Sequence, residues 1–252
     1  CIPTFLWLRE RGTARQVPAG ESVVQRGLVR LRETWLEMRQ FQDLRRLLIS
    51  IFFSMAGIAI IVSFAFIYGA QVIQWDDSVR TMMFVIVQFN AAVGAIAFGI
   101  LQSRLGSRFT YMLSQGLWVV AILAIWLTPE IAALAREQLD VNWQAQYVFL
   151  FAGCLAGLSL GSAQSAGRAL VGLLTPAGKS AEFFGMWGTA AKLAAVFGML
   201  GLGLLQTFFG LADAILFCLV LFAVSMWVVS SVDETRGRAA ADQWCEPNEG
   251  KK

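Results

Sequence analysis

The sequence predicts an all-α membrane protein with six transmembrane helices. Three observations carry that expectation. The 252 residues are 57% hydrophobic and only 15% charged, outside the usual range of soluble domains. The apolar residues fall into blocks of about twenty, long enough to cross a ~30 Å hydrocarbon layer as helices. The basic residues gather on alternate connections between those blocks, the pattern of short loops held on one side of a bilayer. Strands are a poor fit, because the blocks are apolar on every side rather than alternating. The sequence has no histidine, which excludes an imidazole metal ligand, a Ser-His or Cys-His pair, or a histidine proton relay within this chain.

From the first residue onward, Cys1 to Leu8 form a short apolar run followed at once by Arg9, Glu10 and Arg11. It is too short for a signal peptide and lacks a basic flank in front. The expectation is the exit end of a preceding transmembrane helix, and hence a C-terminal piece of a longer protein. Residues 9–46 read as a basic cytoplasmic linker. Within it Val24, Leu28, Leu31, Trp35 and Met38 are spaced to give one apolar stripe on a helix, with arginines and glutamates opposite. Such a helix either lies on the anionic inner leaflet, docks beneath the bundle, or simply links two halves of a transporter.

Six blocks then build a bundle over residues 47–232: Leu47 to Ala70, Thr81 to Gln102, Phe109 to Leu127, Tyr147 to Leu173, Phe183 to Phe208 and Leu211 to Val232. Residues 233–252 form a tail. Nine arginines precede the first block. Arg104 and Arg108 follow the second, Arg168 and Lys179 lie around the end of the fourth, and Arg236, Arg238, Lys251 and Lys252 are in the tail. The opposite side keeps only Arg80 and Arg136, so both chain ends are expected in the cytoplasm. Cys154 and Cys218 sit inside apolar blocks while Cys1 and Cys245 lie at the chain ends, without metal-ligand spacing; they read as packing residues.

A charge at mid-bilayer costs roughly 2.5–3.5 kcal/mol on insertion scales, so each one needs an explanation. There is essentially one, Lys192, about 13–14 Å along its helix from Phe183. Gly185, Gly188, Lys192, Ala195 and Gly198 recur at helical spacing, which predicts a lysine pointing into the bundle, away from lipid. No acidic residue lies deep in any span. Lys192 therefore faces a transport path and meets a substrate carboxylate or an acid outside this segment, or else it is a snorkelling or locally paired lysine. Gly153, Gly157, Gly161, Gln164 and Arg168 form a second stripe. Its glycines suit close helix packing, and Gln164 needs a partner, either substrate or Lys192. Asn90 with Gly94 and Ala97 is a weaker case of the same kind, for which a structural amide joining helices is the favoured reading.

The stretch from Gln164 to Lys192, QSAGRALVGLLTPAGKSAEFFGMWGTAAK, resembles the major facilitator superfamily, and within it the autophagy-related vacuole effluxer family. The resemblance rests on Gln164 and Arg168, the Pro176, Gly178 and Lys179 loop, the Glu182, Phe183, Phe184, Gly185 block, and Lys192. It implies the C-terminal six-helix half of a major facilitator-type bundle, with a preceding six-helix half as partner. It also implies an efflux-type permease, with amino acids as the expected substrate class. Transporters of this superfamily often carry Gly-x-Leu-x-Asp-Arg-x-Gly after their second helix. Here Gly99, Leu101, Arg104 and Gly106 fit, but Ser103 stands at the acidic position. An Asp-based relay is thus replaced at most by Arg104 contacting a helix end or an acid in the other half.

Glu182 in the first turn of the fifth span is favoured by the helix dipole, with Arg168 and Lys179 near enough in sequence to pair. These charges are either a latch that forms in one access state or a static cap. The function expected is a secondary active or facilitative transporter. A six-span assembly subunit and the membrane domain of an ATP-driven exporter are the alternatives, and no nucleotide-binding loop occurs in the chain. The partners expected are the lipid bilayer, a small-molecule substrate and the other half. No catalytic role, cofactor, metal or nucleic acid is expected.

Overall fold

In the computed structural model the described residues are 38–139 and 145–244, together with Gly27, Val29 and Leu36. The run of residues 1–8 and nearly all of the amphipathic stripe lie outside them.

The first span, α1 (Gln42–Tyr68), starts five residues before the apolar block does. Polar residues can begin it because Asp43 is neutralised by a partner from the tail. One π-turn (Gly69–Ile73) extends it, closed by Gln74 in the left-handed region at φ 53. At Gly69 a Cβ would lie 2.7 Å from the Trp75 indole, so glycine lets that ring fold back against the helix. The second span, α2 (Asp77–Leu105), turns at Gly106, φ +84, directly into α3 (Ser107–Trp126).

The acidic connection after α3 contains a helix of its own, α4 (Thr128–Leu139), outside the six apolar blocks. Pro129 in its first turn fits the geometry of a helix start, and Ala132 and Ala135 form its buried face. The two longest spans, α5 (Ala145–Leu174) and α6 (Ser180–Phe209), have 30 residues each and are joined by a 3-10 turn at Ala177–Lys179. The last span is broken into α7 (Leu211–Ala214) and α8 (Phe217–Ser230). A short helix, α9 (Glu234–Asp242), follows. Six of these segments are long and apolar enough to cross a membrane, and no strand occurs among the described residues.

The spans pack as two groups. In one, α5 lies between α2 and α3; in the other, α1 lies between α6 and α8, and α8 closes the bundle against α3. The core at one end is aromatic: Trp118 stacks on Phe222 at 5.7 Å, and Tyr68 sits between Phe64 and Phe149. Towards the basic end, Leu47, Ile51, Leu170, Leu174, Phe183 and Val229 form a second cluster. Buried hydroxyls tie α1 both to α8 in its own group and to α3 in the other. The Ser50 hydroxyl bonds to Ser225, and Ser54 donates to Gln115 Oε1 at 3.1 Å. The outermost members are the least covered: in its most apolar stretch α2 is only 6% buried and α6 17%, against 61% for α1.

Candidate functional site

Lys192 lies twelve residues into α6, about 18 Å from its start at 1.5 Å per residue. Its side chain is exposed on the outer surface of the six-helix unit, so the expectation that it points into this bundle does not hold. The predicted small-residue stripe also divides. Around Gly185 and Gly188 a Cβ would meet nothing within 4 Å, whereas at Gly198 it would press on the Ala56 carbonyl at 2.6 Å. Six residues of helix turn about 240°, which takes Gly198 onto the face that packs against α1 while Lys192 stays on the open one. Among the described residues Lys192 has no hydrogen bond or ion pair.

The stripe on α5 is a packing seam along most of its length. A Cβ at Gly153 would fall on the Met83 sulfur, at Gly157 on the Val87 carbonyl 2.6 Å away, and at Gly161 on the Ala91 carbonyl. Gly94 of α2 is likewise pressed on the Leu158 backbone. Asn90 belongs to this seam: its Nδ2 donates to the Ile86 carbonyl at 2.9 Å and its Cβ faces Gly157.

Past the seam, Gln164 finds its partner in Arg168, whose Nη2 donates to Gln164 Oε1 at 3.2 Å; Lys192 is not that partner. The Arg168 guanidinium also lies 5.3 Å above the Trp187 ring of α6, and Phe184 meets the same indole edge-on. Arg168 therefore bridges α5 and α6 through a cation–π contact rather than through Glu182. Glu182 pairs instead with Lys179, 3.7 Å away. Lys179 is buried, and its Nζ lies 5.0 Å from the centre of the Trp244 ring. Phe183 is fully buried edge-on to Phe41, anchoring α6 to the start of α1.

At the α2–α3 turn Arg104 is exposed and contacts neither a helix end nor an acid among the described residues. Its neighbour Arg108 does both. Its backbone N–H donates to Glu234 of α9, and its Nη2 donates to the Ser230 carbonyl at the end of α8. Ser103 turns onto its own helix, bonding the Ile100 carbonyl at 2.7 Å. The acid at this turn thus comes from the tail, close enough that a Cβ at Gly106 would lie 3.7 Å from the Glu234 carboxylate.

One pair escaped the sequence reading. Asp43 is only 3% exposed, and Arg236 grips it through Nε at 2.7 Å and Nη2 at 2.6 Å. The Asp233 N–H adds a third bond at 2.9 Å. The signal was an acid just ahead of an apolar block and a basic residue 193 positions later, which no local spacing connects. Asp233 itself caps α9, accepting from the Thr235 and Arg236 N–H groups. The Thr235 hydroxyl and those N–H groups hold its carboxyl below the ordinary value of 3.8. No group of side chains suited to a metal ion occurs among the described residues.

Six helices long and apolar enough to cross a bilayer define an integral multi-pass membrane protein. The chain belongs to the vacuole effluxer Atg22-like family, whose model matches residues 1–242. It is 24% identical over 245 residues to the uncharacterized MFS-type transporter YxiO of Bacillus subtilis, covering 96% of this chain and 52% of the relative. It is 25% identical to autophagy-related protein 22 of Saccharomyces cerevisiae, covering 86% of this chain and 40% of the relative. A relative from Coccidioides immitis, also autophagy-related protein 22, is 24% identical and covers 100% of this chain and 43% of its own length. The chain therefore spans about half the length of the curated relatives it matches. No solved structure matches significantly.

Proposed function

We propose that this chain forms the C-terminal six-helix half of a transporter that carries a small solute by alternating access, and that the solute is held at the open face of α6. The observation that carries this reading is Lys192: a cation in the middle third of a long apolar helix, flanked by Gly185 and Gly188, with no partner among the described residues. Keeping it there costs stability, and the cost is offset if a solute carboxylate or an acid of another half completes the pair. The matched relatives carry transporter and effluxer names, which supports the same reading.

The solute class that fits is amino-acid-like, with its carboxylate meeting Lys192 on the open face of α6. Both chain ends lie in the cytoplasm in this scheme, with Lys179, Glu182 and Trp244 forming a cytoplasmic latch that closes in one access state. The test is uptake of radiolabelled amino acids into vesicles containing the full-length protein. Lys192→Ala should reduce transport at least tenfold and Lys192→Arg should retain part of it. Wild-type rates in both variants would remove Lys192 from the pathway. Absence of transport by the intact protein would favour an assembly subunit.

A further inference from the structure

The geometry points to a binding site for an anionic phospholipid at the basic end of the groove between α1 and α6. A cavity of about 350 Å³ opens there. Its walls are apolar, formed by Met38, Ile49 and Phe52 on the α1 side and Ala190 on α6, and two arginines, Arg39 and Arg45, stand at one end. Both arginines are exposed, and neither makes a side-chain hydrogen bond or ion pair among the described residues. Among the described residues the nearby acids are occupied elsewhere: Asp43 is buried against Arg236, and Glu182 faces Lys179.

The polarity of the groove follows a lipid along its length. Arg45, Ile49 and Phe52 follow one another at i, i+4 and i+7 on one face of α1, so charge gives way to hydrocarbon over about 10 Å. That is the spacing of a phosphate headgroup above the first part of an acyl chain. Guanidinium groups suit it doubly, because they pair with phosphate oxygens in a two-pronged geometry and remain charged at a low-dielectric boundary. Basic pockets between transmembrane helices attract anionic headgroups for the same reason. Ile49, 44% exposed in this unit, is the apolar surface that the acyl chain would cover.

The site is tested on the full chain purified in mild detergent, with dioleoyl phosphatidylglycerol or dioleoyl phosphatidylcholine added and retained lipid counted by native mass spectrometry. Phosphatidylglycerol should be retained at least fivefold over phosphatidylcholine. An Arg39→Gln, Arg45→Gln double variant, with an unchanged melting temperature in phosphatidylcholine, should lose that preference. Ala190→Trp, which fills the groove and leaves both arginines in place, should also lose it. Glycerol 3-phosphate should not compete, since the acyl chain supplies part of the binding. Equal retention of the two lipids, or an undiminished preference in the double variant, would overturn the site. So would competition by glycerol 3-phosphate alone. A photo-crosslinking residue at Ile49 identifies the occupant directly: a lipid adduct supports the proposal, and a cross-link to residues 24–35 of the same chain refutes it.

Discussion

Two glycine-bearing helix faces, one on α5 and one on α6, look alike in the sequence and are opposites in the structure. Along α5 the backbone of α2 rests directly on Gly157 and Gly161, and the Met83 side chain on Gly153, so that a Cβ at any of the three would collide with α2. On α6 nothing lies within 4 Å of a Cβ at Gly185 or Gly188. The charges divide the same way. Asp43 and Arg236 complete each other across most of the chain, while Lys192 stands alone on the open helix. Small residues and buried charges are therefore structural where this unit supplies the other half of the contact. Where it does not, they stay uncovered among the described residues, and on the proposed function they meet a solute or the other half.

The largest effect should come from the packed glycines. Gly161→Val drives a branched side chain into the Ala91 backbone, and because backbone cannot step aside as a flexible side chain can, the cost should reach about 3 kcal/mol, the upper end of overpacking. Gly188→Val, on the open face, should leave unfolding by detergent titration within about 0.5 kcal/mol of the parent. Equal losses at the two positions would mean that another element covers α6 in the intact protein. Next comes the charge seam. Asp43→Ala removes three hydrogen bonds to a charged group and should cost about 2 kcal/mol by the same titration. Coupling in a double-mutant cycle with Arg236→Gln would assign that loss to the pair and not to packing.

The spans were legible in the sequence because hydrocarbon thickness imposes a length and an all-round apolar composition that no other element imitates. Their ends were less so. The helix containing Asp43 begins five residues early because its partner lies 193 residues away, and α4 hides in a connection whose acids mask two buried alanines. Within the site, Lys192 was legible by its cost alone, but the face it shares was misjudged. A stripe that admits Gly198 covers too wide an arc, and periodicity cannot say which side of a helix another part of the fold will cover. Arg168 was placed with the right group of residues and the wrong partner, since nothing in a linear spacing distinguishes a carboxylate at 182 from an indole at 187.

A smaller effect should appear at the tail, where pH can be used without changing the chain. The Asp233 carboxyl is held below 3.8 when α9 is capped, first by the Thr235 hydroxyl, so the folded tail prefers the ionised form. A carboxyl depressed in this way stabilises its helix at neutral pH and above about pH 4, and that contribution is lost as pH falls through the depressed value. Trp244 reports on the tail through its contact with Lys179. Its fluorescence, read in a variant with the other tryptophans replaced by phenylalanine, should hold constant from pH 7 to about pH 4 and change below. Asp233→Asn should remove most of that acid transition. An identical transition in the variant would assign it to another group.

The smallest stability effect belongs to Lys192, and its smallness is what separates the two kinds of residue. A paired structural charge is missed when it is removed. An unpaired one in hydrocarbon costs roughly 2.5–3.5 kcal/mol on insertion scales, an amount reduced here by snorkelling, so its removal should leave the fold as stable or more so. Lys192→Met should therefore unfold at the same detergent fraction as the parent or slightly above it, while the same protein loses transport in vesicles. Residues kept for function at the expense of stability show this split, and residues of the α2–α5 seam should show the reverse order, with stability lost first. A clear destabilisation by Lys192→Met would mean that the intact protein gives this lysine a structural partner. The open face of α6 would then be an interface between halves and not the solute site.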